Sequence, residues 1–156
     1  MDEALLRPFL DAVTNVIRTM AFTSVEAGKP EEKRSPIACG VVTAACGLVG
    51  RSHQGSFAIT FEEPALLAIV SRMLYTEMTE LGPDAVEAVG EIANMVSGGA
   101  RRDLEQIGCD LDMSIPVLIT GSGHQITHRG RGPVTQVRFQ TEWGAFFLEV
   151  LLTPRG

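Results

Sequence analysis

The chain has 156 residues, 45% of them hydrophobic and 21% charged, with a formal net charge of -6. That is one domain's length of chain, with enough apolar side chains for a sizeable core. Its acidic balance argues against nucleic acid as a partner, because phosphate binding needs clustered Lys and Arg. The opening MDEALLRPFL lacks the basic region and apolar run of a secretory signal, so a cytoplasmic protein is expected. No membrane span is expected either, since the uncharged run Ile37 to Gly50 is 14 residues, short of the roughly 20 that cross a bilayer.

In chain order, Leu6, Leu10, Val13, Val16, Ile17 and Met20 recur at helical spacing within Glu3 to Phe22, and the charged stretch Ser24 to Pro36 breaks that pattern as a loop. Ile37 to Val49 and Ser56 to Phe61 flank the turn residues Gly50 to Gly55 and read as a hairpin. Pro64 starts a second helix that runs to about Tyr75. A long third helix covers Val86 to Gly108, and strands follow at Cys109 to Thr120, Val134 to Thr141 and Ala145 to Thr153, some of them split or bulged. Strands and helices segregate without regular βαβ alternation. The expected fold is therefore α+β, a single domain over residues 1 to 156 with a mostly antiparallel sheet and three helices on one face; a doubly wound parallel sheet is the alternative.

The third helix carries the chemistry. Pro83 and Asp84 open it and Gly108 closes it, while Val86, Val89, Ala93, Val96, Ala100, Leu104 and Ile107 form its apolar stripe. On the opposite face Glu91 and Asn94 fall about 60° apart around the axis and about 4.5 Å apart along it, so both can act on one point. Glu87 and Gly98 share their strip. Three interior glycines, Gly90, Gly98 and Gly99, each cost about 1 kcal/mol relative to alanine, which implies tight packing or access for a partner. By spacing alone, the same face fits an ordinary solvated surface.

Other residues point less strongly to chemistry. Cys39, Cys46 and Cys109 are odd in number and lack Cys-x-x-Cys spacing, so reduced core residues are expected. His124 and His128 fall in a glycine-rich, non-helical stretch with no further ligand nearby, which reads as solvated loop. Gly121-Ser-Gly123 lacks the lysine and following helix of a phosphate loop, and no nucleophile elbow supports a hydrolase triad. Asp11-Ala-Val-Thr-Asn15-Val-Ile-Arg18 echoes Glu87-Ala-Val-Gly-Glu91-Ile-Ala-Asn94, either as an internal pseudo-repeat or as chance similarity between amphipathic helices.

Taken together, Glu91-Ile-Ala-Asn94-Met95, preceded by Val89-Gly90 and followed by Ser97-Gly98, resembles the Glu-x-x-Asn signature of the CheC/CheX chemotaxis phosphatases. Asp112-Met-Ser-Ile-Pro-Val-Leu-Ile-Thr-Gly121 is similar to the strand that follows it, and the single motif, with Arg18 where a first copy would carry an amide, points to CheX more than CheC. The resemblance implies an enzyme that dephosphorylates the aspartyl phosphate of a CheY-type response regulator. It also implies Glu91 and Asn94 as catalytic residues, with Asn94 orienting the attacking water and Glu91 pairing with a lysine of the regulator. Glu87, Met95 and Gly98 are then partner-docking surface. No cofactor of its own is implied, the magnesium belonging to the regulator, and a homodimer formed through strands of the C-terminal half is expected. The alternative function is a non-catalytic adaptor that holds a signalling protein on the same face.

Overall fold

A computed structural model describes residues 1–155 of the chain. Helix α1 (Glu3–Ala21) starts where the Asp2 side chain accepts from the Ala4 N–H, and it buries Leu6, Phe9, Val13 and Ile17. Two short strands, β1 (Glu26–Ala27) and β2 (Glu31–Lys33), precede the hairpin β3 (Val42–Gly50) and β4 (His53–Phe61). Helices α2 (Glu63–Leu74) and α3 (Pro83–Gln106) follow, then β5 (Leu111–Met113), β6 (Val117–Thr120), β7 (Val134–Gln140) and β8 (Ala145–Pro154). Every strand pairing is antiparallel, which removes the doubly wound alternative.

The sheet order is β1-β7-β8-β4-β3-β5, with β2 also on β7 and β6 also on β3. Its register is two-fold. Ala45 pairs with Val117 at the edge and Ala58 inward, Gln136 pairs with Glu31 at the edge and Glu149 inward, and Ala58 and Glu149 pair with each other at the centre. Each half of the chain thus contributes a helix, a broken edge strand and a hairpin, and each edge strand is laid on the other half's hairpin. This pseudo-repeat agrees with the sequence echo between α1 and α3.

The helices cover one sheet face. Alternate residues of the central strands, among them Phe57, Ile59 and Phe61 of β4 and Phe146, Leu148 and Val150 of β8, join the buried faces of α1, α2 and α3 in one core. The other face is covered by the 121–133 loop and the segment around Ala38, which bring Ile126 and Ala38 over Ala58 of β4. Among the described residues no helix is long and apolar enough to cross a membrane.

Three expectations need correction. Ser24 to Pro36 is not all loop, since it holds the edge strands β1 and β2; the exposed charges of Glu26, Glu31 and Glu32 hide strand character that lies in pairing with a distant strand. The first hairpin strand begins at Val42 rather than Ile37, which makes an isolated bridge to Gln125. The stripe of α3 is also shifted: Ile107 is exposed beyond the helix end, whereas Ala85, Ala88 and Ile92 are buried.

Candidate active site

Glycines of α3 settle how its outer face is used. A Cβ on Gly99 would meet the Ala12 Cβ at 3.2 Å, tighter than ordinary contact, so this glycine serves close packing against α1, whereas one on Gly90 would touch the Leu118 side chain of β6 at an ordinary 3.6 Å. A Cβ on Gly98 would meet nothing within 4 Å. Its position is open to an approaching molecule. Gly98→Ala is therefore expected to raise stability by about 1 kcal/mol. Gly99→Leu is expected to lower it by about 1–3 kcal/mol through overpacking against α1. Denaturant titration of both variants checks the contrast.

Glu87, Glu91 and Asn94 are exposed on the same side of α3 and line one groove. Met73 and Leu74 from the end of α2 form one part of its wall, and Ile115, Pro116 and Leu118 form another. None of Asp84, Glu87 and Glu91 belongs to an ion pair among the described residues. The helix therefore presents carboxylates and an amide, uncommitted to ion pairs within the chain, beside an apolar surface. Met95 is not part of this grouping. It is half-buried and faces α1, lining a different groove with Asp11, Asn15 and Gly99. On α1, the Arg18 guanidinium donates to Asn15 Oδ1 at 2.9 Å, so the residues that echo Glu91 and Asn94 are joined to each other.

The apolar wall was not foreseen, and a bulge makes it. Leu48 pairs with Met113 and Ala45 with Val117, so Ser114, Ile115 and Pro116 stand opposite the two residues Cys46 and Gly47. Ser114 fixes the bulge from both sides: its N–H donates to the Gly47 carbonyl at 3.0 Å, and its Oγ accepts from the Gly47 N–H at 2.7 Å. Ile115 is pushed outward and is 86% exposed. The signal in the sequence is Pro116, which cannot donate to a ladder and marks an interruption inside a strand pattern. Gly28, Lys29 and Pro30 make the matching bulge at the opposite edge, between Ala27 on Phe139 and Glu31 on Gln136.

Polar groups on the far sheet face form a second cluster. The Glu149 carboxylate accepts from Lys33 Nζ at 2.7 Å and from His128 Nε2 at 2.9 Å, and His128 Nδ1 lies 2.8 Å from Ser56 Oγ. All three charged or titratable side chains are buried. His124 lies 2.6 Å from both Thr43 Oγ1 and the Gly121 carbonyl. The expectation of a solvated histidine loop is thus wrong for both residues, because the loop folds down onto polar positions of β3, β4 and β8 that local sequence does not link to it. The three cysteines are free; Cys46 and Cys109 are buried as expected, but Cys39 is exposed. Burial pushes the thiols of Cys46 and Cys109 up, which disfavours the nucleophilic thiolate.

Comparison with known proteins places this geometry. The family model described as "Chemotaxis phosphatase CheX" matches residues 42–140, a span that includes α3, the groove and the bulge. The CheY-P phosphatase CheX of Thermotoga maritima is 28% identical over 135 residues, covering 83% of this chain and 84% of that protein. The crystal structure of CheX from Vibrio vulnificus superposes with a TM-score of 0.89 at 39% identity, over 96% of this chain and 99% of that one. A CheX in complex with CheY, BeF3 and magnesium, from Borrelia burgdorferi, matches with a TM-score of 0.77 at 25% identity, over 94% of this chain and 96% of that one. By the extent of the family match, this chain belongs to the CheX family of chemotaxis phosphatases.

Proposed function

We propose that this chain hydrolyses the aspartyl phosphate of a CheY-type response regulator in chemotaxis, with Asn94 and Glu91 as the residues that act on it. The observation that carries the reading is the exposed pairing of a carboxylate and a carboxamide on one side of α3, next to the open position at Gly98. The activity of the Thermotoga maritima relative and the CheY complex of the Borrelia burgdorferi relative support it.

Hydrolysis of an acyl phosphate needs a water in line with the bond to the leaving aspartate, and little covalent chemistry from the catalyst. A carboxamide offers both a donor and an acceptor, so Asn94 holds that water by its acceptor oxygen while its N–H2 faces the phosphoryl oxygens. The water oxygen bonds to phosphorus, the phosphorus–aspartate bond breaks, and inorganic phosphate leaves. Glu91, one turn away, pairs with a lysine of the regulator and fixes the register of the two proteins by a charge-assisted hydrogen bond. The magnesium belongs to the regulator, and this chain brings no cofactor of its own. Glu87 and Gly98 extend the docking surface.

The test is phosphate loss from a phosphorylated CheY-type regulator, followed with and without this chain. Acceleration at substoichiometric chain supports the reading, and binding without acceleration would replace it with the adaptor function. We also infer a homodimer in the cytoplasm, paired through the free edge of β6, where Val117 and Leu118 are exposed at the limit of the sheet. Light scattering is expected to give twice the chain mass over a range of concentrations. Monomer mass throughout would exclude that pairing.

A further inference from the structure

We propose that the groove beside Glu91 and Asn94 is a specificity cleft for one segment of the response regulator, in which a basic side chain stands next to apolar ones. The proposal rests on the phosphatase reading and adds what that reading lacks, a means of telling one regulator from another. Glu91 and Asn94 address the phosphoryl group and a lysine beside it, groups tied to the reaction itself. Selection among substrates has to come from contacts outside them.

The cleft has a volume of about 590 Å³, in the range of built binding clefts. Its two sides differ in chemistry. Beyond Glu91, Asp84 and Glu87 line the α3 side, and among the described residues no Lys or Arg lines the cleft and neither of these two acids is in an ion pair. Facing them are Leu74 at 45% exposure and Ile115 at 86%, apolar side chains held in water. Unpaired like charges beside solvated apolar surface favour an occupant that neutralises the first and covers the second. The occupant is thus basic and apolar together. Ile115 is also held in place before anything binds, because Ser114 is locked to Gly47 in both directions and Pro116 fixes the backbone on its other side. A preset apolar contact loses little freedom on binding and so discriminates sharply.

The test compares CheY-type regulators of the same organism, phosphorylated with acetyl phosphate, as substrates of the wild-type chain, Ile115→Asp and an Asp84→Asn, Glu87→Gln double variant. All substitutions lie on exposed side chains, so folding is retained. Ile115→Asp is expected to raise KM for the preferred regulator about tenfold or more, with kcat changed less than about threefold, and to narrow the gap between preferred and poor substrates. The double variant is expected to weaken the salt dependence of KM. Unchanged KM values would overturn the proposal. So would an altered oligomeric state of Ile115→Asp with undiminished regulator affinity, which would assign that wall to a contact between copies of the chain. Binding of beryllofluoride-activated regulator separates this failure from failure of the phosphatase reading: wild-type binding that Ile115→Asp abolishes, without catalysis, removes the enzyme and leaves the cleft.

Discussion

Asn94→Ala is expected to return phosphate loss from the regulator to its unassisted rate while the two proteins still associate. The carboxamide is exposed on α3 and in the proposed mechanism contributes water placement more than contact area. Loss of placement is worth about a hundredfold or more in rate, because the attacking oxygen must lie in line with the breaking bond. Helix stability does not suffer, as alanine is the better helix former. Glu91→Ala is expected to differ in kind: in the same proposed mechanism it loses a charge-assisted hydrogen bond to the regulator, worth about 1.5–3 kcal/mol, so both affinity and rate fall. Single-turnover decay of the phosphorylated regulator, with binding of its beryllofluoride form measured in parallel, separates the two patterns. Full activity in Asn94→Ala would dismiss the water-positioning role.

Glu149→Ala is expected to be the most damaging substitution away from α3. The carboxylate is buried at the centre of the sheet and is shared by Lys33 of β2 and His128 of the 121–133 loop. Removing it leaves a buried ammonium without its partner, at a cost of about 3–5 kcal/mol. That is a large part of a typical domain's stability of about 5–15 kcal/mol. Replacing Lys33 and Glu149 together by Met and Leu is expected to recover much of the loss, since an apolar pair has no charge to strand. Denaturant midpoints of the single and double variants measure the difference. Because the cluster lies on the sheet face away from α3, the folded fraction of each variant should retain its catalytic rate. Equal midpoints for wild type and Glu149→Ala would show that the cluster contributes nothing to stability.

The contrast between these two regions explains what could be read from the chain alone. The helices were legible because their apolar period is local, and Glu91 and Asn94 were legible because one helix fixes their relation. The central strands were legible from β-branched and aromatic runs. By contrast, β1 and β2 carry exposed charged residues and exist through pairing with β7, a partner about a hundred residues away. The same limit applies to His128, whose partners Ser56 and Glu149 come from two other strands. Met95 shows the limit within a helix. It adjoins Asn94 in sequence, but one step of about 100° turns it toward α1. The groove wall at Ile115 depends on a register that Pro116 hints at and tertiary pairing alone defines.

The bulge at Ser114 to Pro116 has a consequence for assembly as well. Without the extra residue, Leu111 to Thr120 would form one unbroken outer strand, a long flat template on which further chains could add by backbone pairing. As built, the strand is divided into segments of three and four residues, with a proline at the break. A second chain can gain a short ladder there but not a continuous one. The interruption thus limits growth, favouring a closed pair of chains over an open-ended fibre, and deletion of Ile115 would be expected to shift the protein toward aggregation.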